Sequence, residues 1–277
     1  MDKLATYYAQ RAVEYERIYA KPERQPDLRA LEARIRKMLA GRKVLELACG
    51  TGYWTDVFAA AAAQVTALDL SEEVLAIARV KENTSKNAAK VQFVRGSAYD
   101  IADFGRTHDA LFAGFWWSHV PLEKMESFLQ AVTRCVAPGA LIAFLDNRYV
   151  EGSSTPVSRR DAQGNSYQTR KLDDGSSHEV LKNFPQASES IQCASRHGWG
   201  ANVDSPHSGH AFPDDFGAAV SEAELREGED CHVRQGKRSL QGRGAGARVL
   251  ESRGGPPQPA DRDQQTALHG RTYVAEE

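Results

Sequence analysis

Long apolar runs are missing from this 277-residue chain. None approaches the ~18 residues of a membrane-crossing helix. The opening MDKLATYYAQRAVEYER carries charges where a secretory signal is apolar. Neither a membrane partner nor an export signal is expected. An excess of one charge is also missing: 35 Lys+Arg stand against 37 Asp+Glu, a formal net charge of −2. That balance leaves no electrostatic footprint for a nucleic acid. Cysteine is scarce. Cys49, Cys135, Cys193 and Cys231 include no CxxC pair and no metal-like spacing, so neither a disulfide framework nor a metal site is expected. A reduced, cytoplasmic compartment is the plain reading. The length suits one large domain or two small ones, and no pattern specifies an oligomeric state.

Large aliphatic and aromatic residues run short in one place. Between 186 and 277 only 12 residues are Ile, Leu, Val or Phe, whereas 12 of the 22 glycines and 5 of the 8 histidines fall there. So little apolar surface cannot offset chain entropy, and residues 186–277 are expected to form a low-complexity, disordered tail. Its basic residues are nine Arg and one Lys, against 15 Arg and 10 Lys before it. Such a switch is what a translated wrong reading frame produces, and resequencing the coding region tests it. Ser221-Glu-Ala-Glu224-Leu alone reads as locally ordered, as the capped start of a short helix. The irregular spacing of His197, His207, His210, His232 and His269 does not suit a metal site.

Before residue 185 the chain alternates strands and helices. Pro22 and Pro26 divide an N-terminal helical stretch into helices over about 3–19 and 27–40, with Gly41 as a stop. Apolar runs at 43–48, 65–69, 91–94, 109–114 and 140–145 have the length of strands. Helices are predicted over 53–63, from the capping Ser71 onward, and over 121–136 behind Pro121. This alternation argues for parallel βαβ units with right-handed crossovers: an α/β fold with a doubly wound, mostly parallel, Rossmann-like sheet. Runs at 166–172 and 177–182 flank Asp173-Asp-Gly-Ser176, a hairpin signal. The expected organisation is an N-terminal helical lid over 1–40, a Rossmann-like core over 41–147, a hairpin insertion covering an acceptor site over 148–185, and the tail.

In a doubly wound sheet, ligands sit outside the carboxyl ends of the strands, where strand order reverses. The first strand runs into Glu46-Leu-Ala-Cys-Gly50-Thr-Gly52, whose glycines let the backbone approach a ligand closely. Asp69 ends the second strand and places a carboxylate for a ribose diol. A dinucleotide fingerprint, G-x-G-x-x-G, needs a third glycine, but Tyr53-Trp54-Thr55 follows instead. Glu46 repels a pyrophosphate and suits an ammonium, directly or through water. A ligand with an amino-acid end and an adenosine end fits better than NAD.

The Glu46–Gly52 motif, Asp69 and the strand order closely resemble class I S-adenosylmethionine-dependent methyltransferases of the small-molecule type, over about residues 40–147. The resemblance implies S-adenosyl-L-methionine as cofactor. Glu46 and the backbone of Ala48, Cys49, Gly50, Thr51 and Gly52 then surround its methionine part, Asp69 holds the ribose hydroxyls, and Leu70 packs on the adenine. Gly96-Ser97-Ala98 is similar to the family's third motif, usually Gly-Asp-Ala, with Ser97 in place of the acid that often meets the adenine amine. Gly114, Phe115 and Trp116 are expected to line the pocket. The family also adds an antiparallel strand pair after the fifth strand. Here the composition collapses at that point, so the sheet is expected to be incomplete or irregular at its C-terminal end, and the protein poorly stable.

Methyl transfer from a sulfonium needs alignment and exclusion of water, and a base only where the acceptor must lose a proton. His119 follows the fourth strand and has two readings, a general base or acceptor-orienting group and a capping or packing residue. Tyr8, Tyr15 and Tyr19 lie near one helical face, suited to a lid over a ligand or to covering a sheet edge. By the resemblance Tyr8, Arg11 and Tyr15 touch the cofactor carboxylate or the acceptor, with Arg24 a further candidate. Tyr15, Tyr19, Trp116 and Trp117 are the substrate-facing candidates. Cys49 fits as a small residue in a tight turn rather than a nucleophile. The implied reaction is methyl transfer to N, O or C of a small-molecule acceptor, a quinone or an amine among the options. Two alternatives are a non-catalytic cofactor-fold or interaction protein with a defective C-terminal region, and an NAD(P)-dependent oxidoreductase.

Overall fold

The apolar runs become strands β1 (Lys43–Leu47), β2 (Gln64–Asp69), β3 (Val91–Arg95), β4 (His108–Gly114) and β5 (Val136–Arg148), joined in parallel. The structure, a computed structural model, describes residues 3–12, 14–22, 25–84, 90–149, 151–152, 154–184, 199–204 and 217–225. The chain divides into two compact units, Met1–His232 and Val233–Glu277, and every described residue belongs to the first. Helices are α1 (Lys3–Arg11), α2 (Gln25–Met38), α3 (Tyr53–Ala59), α4 (Glu72–Thr84) and α5 (Met125–Cys135). Consecutive residues of a strand face opposite sides, so a sheet covered on both faces buries them all. Val44 joins one core with Ile35, Leu39 and Phe58. Leu45 and Leu47 join the other with Phe128, Leu129 and Val132. Glu46 is the one charged residue among the buried Val44–Leu47.

Among the described residues five further strands follow β5, in a way the sequence only partly shows. β7 (Ser166–Lys171) and β8 (Ser177–Leu181) form the expected hairpin, and β6 (Val157–Arg160) adds a third strand to it. β9 (Trp199–Asp204) and β10 (Gly217–Leu225) then extend the main sheet to the order β3-β2-β1-β4-β5-β10-β9. Residues 199–204 and 217–225, within the stretch expected to be a low-complexity tail, thus form strands of the main sheet. Ser221–Leu225 is not a helix start but part of β10, which pairs antiparallel with β5 from Gly217↔Arg148 to Glu224↔Leu141. An open sheet edge supplies a full ladder of backbone partners, which outweighs the weak preference of a four-residue capping pattern. The remainder of 186–277, with its histidines, lies outside the described residues, as does Arg24.

The N-terminal helix also departs from expectation. It ends at Arg11, and residues Tyr15–Tyr19 form a separate 3-10 turn. Seven residues of α-helix rise about 10.5 Å, yet the rings of Tyr8 and Tyr15 are 5.9 Å apart. The break brings them together, and the row continues through Tyr19 to Tyr53, stacked at 3.7 Å.

Candidate active site

Strand order reverses between β1 and β4, and a cavity opens at the carboxyl ends of β1, β2 and β4. Ala48, Gly50 and Thr51 line it from the glycine turn, Asp69 and Leu70 from the end of β2, Ser97 and Ala98 from the loop after β3, and Gly114, Phe115 and Trp116 from the end of β4. Tyr8, Tyr15 and His119 close its outer side. Ten of the expected cofactor residues and three of the catalytic or substrate-facing ones thus meet in one place. Gly52 begins α3 in the left-handed region at φ 78°, and a Cβ there would stand 3.1 Å from Ala78 Cβ. Ala48 and Phe115, at φ 52° and 60°, are the non-glycine residues with positive φ among the described residues, and both line the cavity. Such backbone is held only where packing over-determines it, commonly at a ligand site.

The acids at the strand tips differ. Asp69 accepts Gly50 N–H on Oδ2 and Ser71 N–H on Oδ1, each at 2.9 Å. Burial raises its pKa, and these backbone amides oppose the rise. An ionised carboxylate has about four acceptor positions, so two stay available. Glu46 does not line the cavity. It is 2 % exposed and accepts Thr55 Oγ1 at 2.6 Å. Burial, with repulsion from Asp69, pushes its pKa up to about 8 against the Thr55 bond.

At the outer side His119 is 4 % exposed. Its Nδ1 lies 2.7 Å from Leu181 O, which can only accept, so Nδ1 carries the proton. Nε2 is then an acceptor and takes the Tyr8 hydroxyl at 2.8 Å. Burial and the nearby cations of Lys182 and Arg170 hold the His119 pKa well below its usual value, so the ring is neutral at pH 7. Burial pushes the Tyr8 phenol upward.

Two ties fix this outer wall. Glu16 accepts Thr51 Oγ1 at 2.6 Å and pairs with Lys81, whose Nζ also donates to Thr51 O at 3.0 Å, so the N-terminal 3-10 turn is fastened to the glycine turn. On the other side Lys182 Nζ donates to Ser118 Oγ at 2.6 Å and to Asp146 Oδ1 at 3.2 Å, with side chains only 3 % and 8 % exposed. Asp146 also accepts Ser118 N–H, and Asn183 N–H donates to Ser118 O. Tyr7 packs with Leu172 and Val180, which seats α1 against the β7–β8 hairpin.

Several expectations need correction in placement. Trp117 turns away from the rim into the core, 4.5 Å from the ring of Phe144. Tyr19 is buried against Tyr53 and Trp54. Neither lines the cavity at the glycine turn, because each aromatic side chain buries its surface in a core cluster. Cys49 sits in the core with its thiol pKa raised by burial; its carbonyl accepts Gly52 N–H and its Sγ lies 3.9 Å from Gly50 O. Arg11 lines an adjoining cavity instead of the first. Ser97 Oγ accepts Tyr99 N–H at 3.2 Å, so its hydroxyl also braces the loop. Lys182, Asp146 and Arg170 were not foreseen. Asp146 had a signal, an acid at the tip of the fifth strand, whereas Lys182 follows a hairpin with none.

A Rossmann-like sheet with a two-glycine turn, a strand-tip Asp and an acid before the turn defines the class I S-adenosylmethionine-dependent methyltransferases. Residues 44–139 of this chain match the family model described as "Methyltransferase domain". It is 34% identical over 107 residues to a ubiquinone biosynthesis O-methyltransferase of Aromatoleum aromaticum, covering 38% of this chain and 44% of that protein. It is 32% identical over 116 residues to a demethylmenaquinone methyltransferase of Bacillus mycoides, covering 41% and 48%. The chain thus spans under half the length of these two relatives. Among solved structures, "DhpI-SAH complex structure" superposes with a TM-score of 0.63 at 29% identity, over 82% of this chain and 97% of that one.

The residues present fit S-adenosylmethionine. Leu70 is 42 % exposed at the cavity, an apolar surface that a planar base covers. The Trp116 indole N–H is buried with no partner among the described residues. Asp69 keeps acceptor capacity for a diol, and Gly50 in the cavity wall offers backbone without a side chain.

Proposed function

We propose that the chain transfers the methyl group of S-adenosylmethionine to a small-molecule acceptor bound under the N-terminal segment and the β7–β8 hairpin. The observation that carries this is the shared wall: Tyr8, Tyr15, Phe115 and His119 line both the cavity of the glycine turn and the one beside it. In this reading Asp69 holds the ribose hydroxyls, Leu70 packs on the adenine, Ser97 and Ala98 border it, and Glu46, buried behind the glycine turn, acts on the ammonium directly or through water. The cofactor, when bound, supplies an activated methyl. Tyr8 and His119 orient the acceptor, and His119 Nε2 receives its proton through the Tyr8 hydroxyl. The lid role of residues 1–40 and the cover role of 148–185 are supported by the ties of Glu16 to Thr51 and of Lys182 to Asp146. No described helix is long and apolar enough to cross a membrane. We take the cytoplasm as the compartment, supported by Cys49 and Cys135, which are buried as free thiols. Calorimetric titration tests the function: saturable one-site binding of S-adenosylhomocysteine and none of NAD is expected, and the reverse contradicts it.

Glu46 makes that titration pH-dependent. With a pKa near 8 it is mostly protonated at pH 7 in the free chain. An ammonium beside it favours the carboxylate, so binding is expected to release up to about one proton at pH 7, and progressively less above the free pKa, where Glu46 is already ionised. Titrations in phosphate and in Tris then give different apparent enthalpies. Identical enthalpies in the two buffers remove Glu46 from the ammonium site. The same raised pKa acts on stability: the folded chain holds a proton that the unfolded chain loses, so this group's contribution falls as pH rises from the usual carboxylate range towards 8.

A further inference from the structure

The second cavity is strongly basic, in a chain whose formal net charge is −2. Arg11, Arg17, Lys21, Arg170, Lys171 and Lys182 line it, against the carboxylates of Glu14 and Asp173. Arg17 is paired with Asp173 and lies 4.0 Å from Glu14, which also feels the charge of Arg11, so two acids stand against six cations in the lining. Lys182 is committed to Asp146 and Ser118. Arg11 and Arg170 face the cavity from two different elements, α1 and β7. Arg11 stands over the rings of Tyr7 and Tyr15, and Arg170 donates to Gln168 Oε1 at 2.7 Å, which helps to orient its guanidinium. Both act electrostatically on His119 and on Tyr8, which places them beside the wall shared with the first cavity. Gathering like charges around one concavity is unfavourable unless an anion shares it, and a planar guanidinium fork matches carboxylate and phosphoryl oxygens.

We propose that the methyl acceptor is a small oxyanion, a carboxylate or a phosphoryl compound, whose charge is held in this cavity by Arg11 and Arg170 while its reacting group faces Tyr8 and His119. The inference rests on the methyltransferase reading and narrows its acceptor. A neutral quinone offers nothing for these cations to meet. The lining aromatics Tyr8, Tyr15 and Phe115 suit an apolar body next to the anionic group.

The test uses the full chain first saturated with S-adenosylhomocysteine, so that failure of the cofactor reading shows itself separately as absent binding in this first step. Benzoate, phenylphosphonate and neutral benzamide are then titrated at constant ionic strength. At least one anion is expected to bind about tenfold or more tighter than benzamide, the effect of one charge-assisted contact. Which anion binds tighter decides between a carboxylate and a phosphoryl acceptor. Arg170→Gln and Arg11→Gln are each expected to remove most of that preference while S-adenosylhomocysteine still binds, which also shows that the variant is folded. Equal affinity for benzamide, absence of saturable anion binding at millimolar concentration, or a preference that survives both substitutions overturns the proposal.

Discussion

His119→Ala is expected to lower kcat by about 10²–10³, the usual range for a lost acid–base group, with S-adenosylhomocysteine affinity nearly unchanged. The geometry leads there in three steps. Leu181 O fixes the proton on Nδ1, so Nε2 presents its lone pair towards Tyr8 and the shared wall. Burial and the cations of Lys182 and Arg170 keep the ring neutral, so the accepting form is present throughout the neutral range. The bond to Leu181 O opposes that shift only in part. His119→Asn separates chemistry from packing, because its amide nitrogen can still donate to Leu181 O but offers no base. Turnover by His119→Asn close to that of the unaltered chain makes the residue a packing group; loss of turnover with the fold intact supports the proton role. Tyr8→Phe is expected to follow His119→Asn in direction, since it breaks the same path.

Lys182→Ala is expected to reduce unfolding free energy by about 3–5 kcal/mol, the range seen when one partner of a buried pair is removed. Asp146 would keep its charge while 6 % exposed, with only Ser118 and its own neighbour Asn147 as donors. The same change unties the hairpin from the rim that carries His119. Lys182→Met combined with Asp146→Leu is expected to recover most of the loss, because a buried pair replaced by apolar groups of similar size is often neutral. Urea unfolding followed by circular dichroism measures all three. A loss below about 1 kcal/mol for Lys182→Ala shows the pair to be solvated instead of buried.

Much of the first half was legible because its signals are local. Each strand of the parallel sheet is a short apolar run beside a helix of matching length, and Glu46, the glycines and Asp69 mark the carboxyl ends of β1 and β2. What escaped depended on distant partners. Ser221–Leu225 carries a helix-start pattern, yet it lies along β5, a neighbour more than 70 positions away in sequence. Trp117 adjoins Trp116, but one enters the core and the other lines the cavity, a choice set by the short 3-10 turn at Trp117–His119. Tyr19 matches the helical spacing of Tyr8 and Tyr15 only while the helix is continuous, and the break after Arg11 sends its ring to Tyr53. Lys182 and Arg170 acquire meaning only when the hairpin folds back over Ser118 and His119. The basic cavity is invisible in a net charge of −2, because acids elsewhere cancel it in the total but not in space.

The most direct measurement compares the affinity of the unaltered chain for S-adenosylhomocysteine with that of Asp69→Ala. Two hydrogen bonds from ribose hydroxyls to a carboxylate are each worth roughly 1.5–3 kcal/mol, so the substitution should weaken binding by about 10²-fold or more. Circular dichroism alongside checks that the turn around Gly50 still folds without its Asp69 partner. An affinity within about twofold of the unaltered chain, in a folded protein, contradicts the placement of the nucleoside at the tip of β2.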